Sequence, residues 1–218
     1  MAIRYHDSVL FPTLADEIGE HAALLDGEVL NAGSGNRDLR SLVPGRVHNQ
    51  DIAEGLHNDD VDILSPLDDI PVEDGFFDAI FCNAVLEHVA NPEEIMSEFA
   101  RVCKPGGVLY LCVPFMQPEH LDPTDFQRYT IDGLSLLAER HGFEVQQAEG
   151  VHNVYVTLGW VALRWLGASD RLHFRLGRRL IFPWLVRKAH RSDLQVRELA
   201  SANRVIARRR EADLPETR

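Results

Sequence analysis

Short apolar runs recur along the first 150 residues and are separated by amphipathic stretches. "EVLNA" (Glu28–Ala32), "RVHNQDI" (Arg46–Ile52) and "DVDILS" (Asp60–Ser65) read as three strands. "FFDAIFCN" (Phe76–Asn83), "GVLYLCVP" (Gly107–Pro114) and "FEVQQAEGV" (Phe143–Val151) read as three more. Near-continuous apolar strands belong to a parallel sheet covered on both faces. Helical patterns fill the gaps. Residues 8 to 25 read as a leading helix, broken or started near Pro12. "NPEEIMSEFARVCKPGG" has Asn91 as N-cap, Pro92 at the first helical position and an Ile95/Phe99/Val102 stripe, with Pro105-Gly106-Gly107 as the stop. "TIDGLSLLAERHG" repeats the scheme with Thr130 as cap and Gly142 as stop. Strands alternating with helices predict an α/β, doubly wound, mostly parallel sheet.

Composition changes this picture little: 45% hydrophobic and 26% charged residues are ordinary for a globular chain of 218. No run of about 20 apolar residues suggests a spanning helix, and the N-terminus lacks the apolar core of a signal peptide. Cys82, Cys103 and Cys112 show no CxxC spacing and read as reduced, mostly buried thiols of a cytoplasmic protein. Charge is more telling. The net −12 divides into −20 over residues 1–150 (8 Lys+Arg, 28 Asp+Glu) and +8 over 151–218 (14 against 6). The acidic part is unsuited to nucleic acid.

The candidate chemistry begins where the first strand ends, at Gly33-Ser34-Gly35. In doubly wound sheets ligands lie at the carboxyl ends of strands. Glycine lets backbone approach a ligand closely. A pyrophosphate fingerprint would want a third glycine, but that place holds Asp38. A nucleoside ligand without phosphates fits better, and S-adenosylmethionine (SAM) is one. A purely structural two-glycine turn is the alternative. Asp51, ending the second strand, sits where a carboxylate can accept both ribose hydroxyls.

The stretches "VLNAGSGN", "VHNQDI", "FDAIFCNAVLEHVANPEEIMSEFARVCKPGG" and "HLDPTDFQRYTIDGLSLLAERHGFEV" together resemble class I SAM-dependent methyltransferases, in particular the small bacterial type 11 group, over roughly residues 27–150. The resemblance implies a seven-stranded, Rossmann-like sheet whose last strand is antiparallel and pairs with the sixth. Ser201–Arg209 is the candidate for it. Residues 153–198 would then be a basic helical insertion before the last strand. The resemblance also implies a donor site formed by Asn31, Ala32, Gly33, Ser34, Gly35, Asp51, Ile52 and Asn83. Asn31 replaces an acid that many relatives carry there, and Ser65-Pro66 replaces an adenine-binding aspartate. Leu67 and Asp68 are the substitute adenine contacts.

On the acceptor side, "PFMQPEHLDPTDFQRYT" is a loop stiffened by Pro118 and Pro123. His120 or His88 is the candidate base, and Asp125, Arg128 and Tyr129 are the candidate substrate residues. The structural alternative is an Asp125–Arg128 pair that supports the Thr130 cap. His57, His141, His152, His173 and His190 show no metal-ligand spacing, and no metal is expected. Val156, Trp160 and Leu163 mark a helix ended by Gly167, and Pro183 should break the next one. Several roles are open for residues 155–191: a helical cap packed on the acidic core, a lid, a homodimer contact, peripheral contact with an anionic membrane, or contact with another partner. The expected activity is methyl transfer from SAM to a small-molecule or carrier-linked acceptor, at oxygen, nitrogen or carbon. The rivals are a non-catalytic SAM-binding module and an NAD-dependent oxidoreductase.

Overall fold

A computed structural model describes residues 9–52, 60–121 and 124–211. Seven strands form one sheet: β1 (Glu28–Ala32), β2 (Arg46–Asp51), β3 (Ile63–Leu64), β4 (Phe77–Asn83), β5 (Cys103–Pro114), β6 (Phe143–Val151) and β7 (Ala202–Arg209). Their order is β3-β2-β1-β4-β5-β7-β6. The first five pair in parallel, and β7 runs antiparallel to both neighbours. The seventh strand therefore pairs with β5 as well as with β6. The sheet is central because its strands are apolar on both faces; six of the seven residues of β4 are buried.

One face is covered by α2 (Pro92–Val102) and α3 (Ile131–Arg140), whose Ile95, Phe99, Leu134 and Leu137 join Leu30, Ile80, Leu109 and Leu111. The other face packs Ile18, Leu25, Leu39 and Val43 on Val29, Phe81 and Tyr110. The helix α3 starts as the pattern predicts: the Thr130 hydroxyl accepts from the Gly133 N–H at 3.1 Å. At α2 the expected Asn91 cap does not form. The Asn91 amide donates instead to Glu94 at 3.2 Å, so Pro92 and the two acids that follow carry the helix start. The strand after α2 begins at Cys103, before the predicted stop. A register shift between Phe77 and Ala79 absorbs Lys104–Gly107 as strand rather than turn.

The predicted leading helix is shorter and split. A helix α1 (Leu14–Ile18) gives way at Gly19, with φ +50°, to a 3-10 turn over Gly19–Leu24. Neither is there a helix between β1 and β2. Turn bonds within Gly33–Val43 connect them instead, such as Arg37 N–H to Ser34 and Leu42 N–H to Leu39.

Beyond β6, α4 (Val154–Gly167) and α5 (Leu172–Ala189) form a helical pair around Leu10, Val156, Trp160, Leu166 and Phe182. Pro183 does not break α5. Phe182, fully buried, and Leu185 anchor the helix on both sides of it, and packing outweighs the one missing donor. The close approach of the pair depends on Gly177, where a Cβ would meet Leu166 at 2.6 Å. Some of the arginines of the basic C-terminal part bind the acidic part. Arg204 pairs with Glu149, Arg208 donates to the Gly106 carbonyl at 2.8 Å, and Arg209 to the Ala100 carbonyl at 3.1 Å. Among the described residues, no helix is long and apolar enough to cross a membrane.

Candidate active site

The carboxyl ends of β1, β2 and β4 meet at the glycine bend. Gly33 and Gly35 both have positive φ, +57° and +51°. A Cβ on Gly33 would strike Val85 at 2.8 Å, whereas one on Gly35 would project into open space. The bend is braced from β2: the Gln50 side-chain oxygen accepts from Gly33 N–H at 2.9 Å, and Asp51 Oδ2 accepts from Gly35 N–H at 3.0 Å. Asp51 Oδ1 accepts from Ile52 N–H at 2.7 Å. The carboxylate stays half-buried, with lone pairs left over for two hydroxyls. Ile52 beside it is 68% exposed, an apolar side chain on an open strand end. The Ser34 hydroxyl is buried without a partner. An open space over Gly35 and a spare carboxylate suit a nucleoside. With no helix starting at the bend, no helix dipole is available to hold a phosphate.

The other donor-side residues are placed less uniformly. Ala32 ends β1, buried between Gln50 and Cys82. Asn31 is 1% exposed, and its amide nitrogen donates to the Arg37 carbonyl and to Asn49, at 2.9 and 3.0 Å. Leu67 packs in the core beneath the sheet end, and Asp68 is exposed. Asn83 donates to Glu17 Oε1 at 3.2 Å, which ties α1 to the end of β4. Glu17 also lines a cavity of about 580 Å³ together with His152 and Arg204. The cysteines are free and buried, and desolvation pushes the Cys103 thiol up to about 12.

Past Asn83 the chain turns inward. Ala84 takes φ +53°, a left-handed conformation that costs about 1 kcal/mol or more outside glycine. A 3-10 turn, Leu86–His88, follows. It aims Glu87 into the protein, fully buried, with neither carboxyl oxygen hydrogen-bonded. His88 Nε2 lies 3.5 Å from Glu87 Oε1, and its Nδ1–H donates to the Thr124 carbonyl at 2.5 Å. From the post-β5 loop, His120 brings Nε2 to 3.6 Å from the same Oε1 and Nδ1 to 3.6 Å from Asp125. These are ion-pair separations, too long for hydrogen bonds. The Glu87 carboxyl, then Asp125, raise the His120 pKa against desolvation and Arg128.

Asp125 and Arg128 form the pair of the structural alternative. Arg128 donates from both Nη atoms to Asp125, whose carboxyl is held at about 2. Asp125 also accepts from the His120 backbone N–H at 2.9 Å, so this pair positions the histidine. Tyr129 packs against the core, and its carbonyl accepts from Asn203 of β7. Pro123 lies outside the described residues. Trp160 of α4 covers His120, with ring centroids 5.9 Å apart. The sequence reading missed Gln50, Glu17, the inward Glu87 and Trp160. An acid inside the apolar "AVLEHV" was the one available signal for Glu87.

Comparison with known proteins agrees with this architecture. Residues 31–111 match the family model described as "Methyltransferase domain". A ubiquinone biosynthesis O-methyltransferase of Chromobacterium violaceum is 30% identical over 114 residues, 45% of this chain and 49% of that one. A second protein so described, from Dechloromonas aromatica, is 49% identical over 37 residues, 17% of this chain. The matched stretches thus span at most about half the length of the curated relatives, 49% and 16% for these two. Among solved structures, the 1,6-didemethyltoxoflavin-N1-methyltransferase of Burkholderia thailandensis, with bound S-adenosylhomocysteine, superposes with a TM-score of 0.57 at 14% identity, covering 94% of this chain and 80% of that one. The cyclase SpnF gives 0.59 at 18%, covering 91% and 80%.

Proposed function

From a chain that carries a methyltransferase domain on the class I methyltransferase fold, we propose methyl transfer from SAM to a small-molecule or carrier-linked acceptor. The observation that carries this reading is the Gly33–Gly35 bend, open above Gly35, helix-free, and closed by the Asp51 carboxylate. SAM, when bound, supplies an electrophilic methyl group on a sulfonium, so the protein's tasks are alignment and exclusion of water. Gly33 and Gly35 hold the donor by backbone, Asp51 holds its ribose, and Ile52 packs on the base. Asn31, with its amide nitrogen engaged internally, has no charge to offer the donor's ammonium, and Asn83 borders the methyl-donor side.

His120 is the group of this chain best placed to take an acceptor proton in the metal-free protein, with His88 beside it. Arg128 is committed to Asp125, so it acts on an anionic acceptor only by giving up that pair. The helix α4 serves as the lid, since Trp160 lies on His120. The outer face of α5, with Leu172, Leu180 and Trp184 exposed beside Arg175 and Arg179, is the surface for a homodimer or peripheral membrane contact.

The test is calorimetry with SAM, S-adenosylhomocysteine and NAD, followed by a screen for labelled methyl transfer from SAM into acceptor pools. Binding of the first two without NAD, plus labelled product, is the expected result. Binding of NAD alone refutes the proposal. Binding of SAM with no labelled product supports a SAM-binding module, a second reading favoured by the internally engaged Asn31.

A further inference from the structure

Three side chains from two separate segments converge beneath α4: Glu87 and His88 from the turn after β4, and His120 from the loop after β5. One ligand-type atom from each lies within 4.8 Å of the other two. Glu87 is fully buried and both its oxygens lack a hydrogen-bond partner. Two imidazole nitrogens face Oε1 at 3.5 and 3.6 Å. These separations are too long for hydrogen bonds, yet they are close to the spacing of ligands around one ion. Tetrahedral zinc with bonds of about 2.0–2.1 Å places its ligand atoms about 3.3–3.4 Å apart. We propose that Glu87, His88 and His120 form a three-ligand site for a divalent first-row transition metal of zinc's type.

The surroundings of the three groups support this. A metal-ligating histidine normally donates its other ring N–H to a carbonyl or carboxylate, which fixes the tautomer and the ring plane. His88 does so: its Nδ1–H goes to the Thr124 carbonyl, which leaves the Nε2 lone pair directed at Glu87. His120 Nδ1 has no hydrogen-bond partner, but the Asp125 carboxylate, fixed by Arg128 and by the His120 backbone N–H, stands 3.6 Å from it, next in line to accept its proton. The donor set is two nitrogens and one oxygen, which suits zinc, cobalt or nickel over magnesium or calcium. The residues are too scattered in sequence to show a ligand motif, which is why no metal was expected from spacing. Three protein ligands leave one tetrahedral position for an exogenous oxygen, a water or an acceptor hydroxyl. Only the acceptor role rests on the methyl-transfer reading; the site itself does not. With an ion bound, the His120 nitrogen facing Glu87 becomes a ligand instead of a base.

The experiment titrates the metal-stripped full chain with Co²⁺, followed by its visible absorption, and with Zn²⁺ in competition. The expected result is saturation at one ion per chain, displacement of Co²⁺ by Zn²⁺, and loss of the spectrum in Glu87→Gln and His120→Ala. Asp125→Asn, a positioning change, should weaken binding by about 10–100-fold. Zinc K-edge absorption on the unaltered chain should show two imidazole ligands, a result that does not depend on any variant folding. Absence of stoichiometric uptake, or uptake unchanged in Glu87→Gln, overturns the site. Binding of S-adenosylhomocysteine, measured on the same samples, separates the two ideas: metal uptake without nucleoside binding refutes methyl transfer and leaves the site standing.

Discussion

Replacing Asp51 by alanine removes two things at once. The carboxylate braces the bend, accepting from Gly35 N–H at 3.0 Å and from Ile52 N–H at 2.7 Å. Its remaining lone pairs are the ribose acceptors of the proposed donor site. Losing a charged hydrogen-bond partner costs about 1.5–3 kcal/mol. That corresponds to a Kd about 10–150-fold weaker for S-adenosylhomocysteine, read directly by titration calorimetry. The bracing and the ribose contact are separable with Asp51→Asn. An amide oxygen still accepts from Gly35 N–H, but the side chain loses its charge and one acceptor. Asp51→Asn should therefore fall between the parent and the alanine variant. A Kd for Asp51→Ala within twofold of the parent, with the fold intact by circular dichroism, would refute the ribose assignment. Equal losses in both variants would place the whole effect on charge rather than on the brace.

Three further outcomes are expected. His120→Ala should lower methyl-transfer turnover at least tenfold, as about 10²–10⁴-fold is typical of proton-transfer groups, while calorimetry finds the donor affinity nearly unchanged. Phe182→Ala, at a fully buried position between α4 and α5, should destabilise the helical pair by about 3–5 kcal/mol, seen as earlier urea exposure of tryptophan fluorescence. Arg128 lowers the Asp125 pKa from 3.8 to about 2, so the stability from this pair is complete above 3.8 and is lost as pH falls toward 2; the gap in urea midpoint between the parent and Arg128→Ala should narrow over that window.

Where local chemistry decides, the sequence was a sufficient guide. The ends of β1 and β6 fall where the apolar runs end, Thr130 caps α3, and α4 stops at Gly167. Two of the misses come from long-range packing and one from a local rival three residues away. Pro183 reads as a breaker, yet the buried faces of Phe182 and Leu185 hold the helix through it. Asn91 reads as a cap, yet its side chain turns to donate from its amide nitrogen to Glu94, and its oxygen caps no backbone N–H. The "VCKPGG" stretch reads as a turn, yet parallel pairing with Phe77 of β4 draws Cys103 into a strand. At the site the glycines and Asp51 stand close in sequence and could be paired by eye. Glu87, His88 and His120 could not, because 31 residues, with α2 and β5 among them, lie between the last two before folding brings their rings to 5.0 Å.

The strand β7 wedges between β5 and β6 although it is made after both and after the helical pair. Its partners are distant in the chain: Val108 meets Arg208 and Leu111 meets Val205. Until residues 202–209 leave the ribosome, β5 presents a bare apolar border and β6 has no neighbour in the sheet. Such borders recruit other chains. The nascent protein therefore passes through an interval at each synthesis in which that border stays open to other chains, until the last strand slots in.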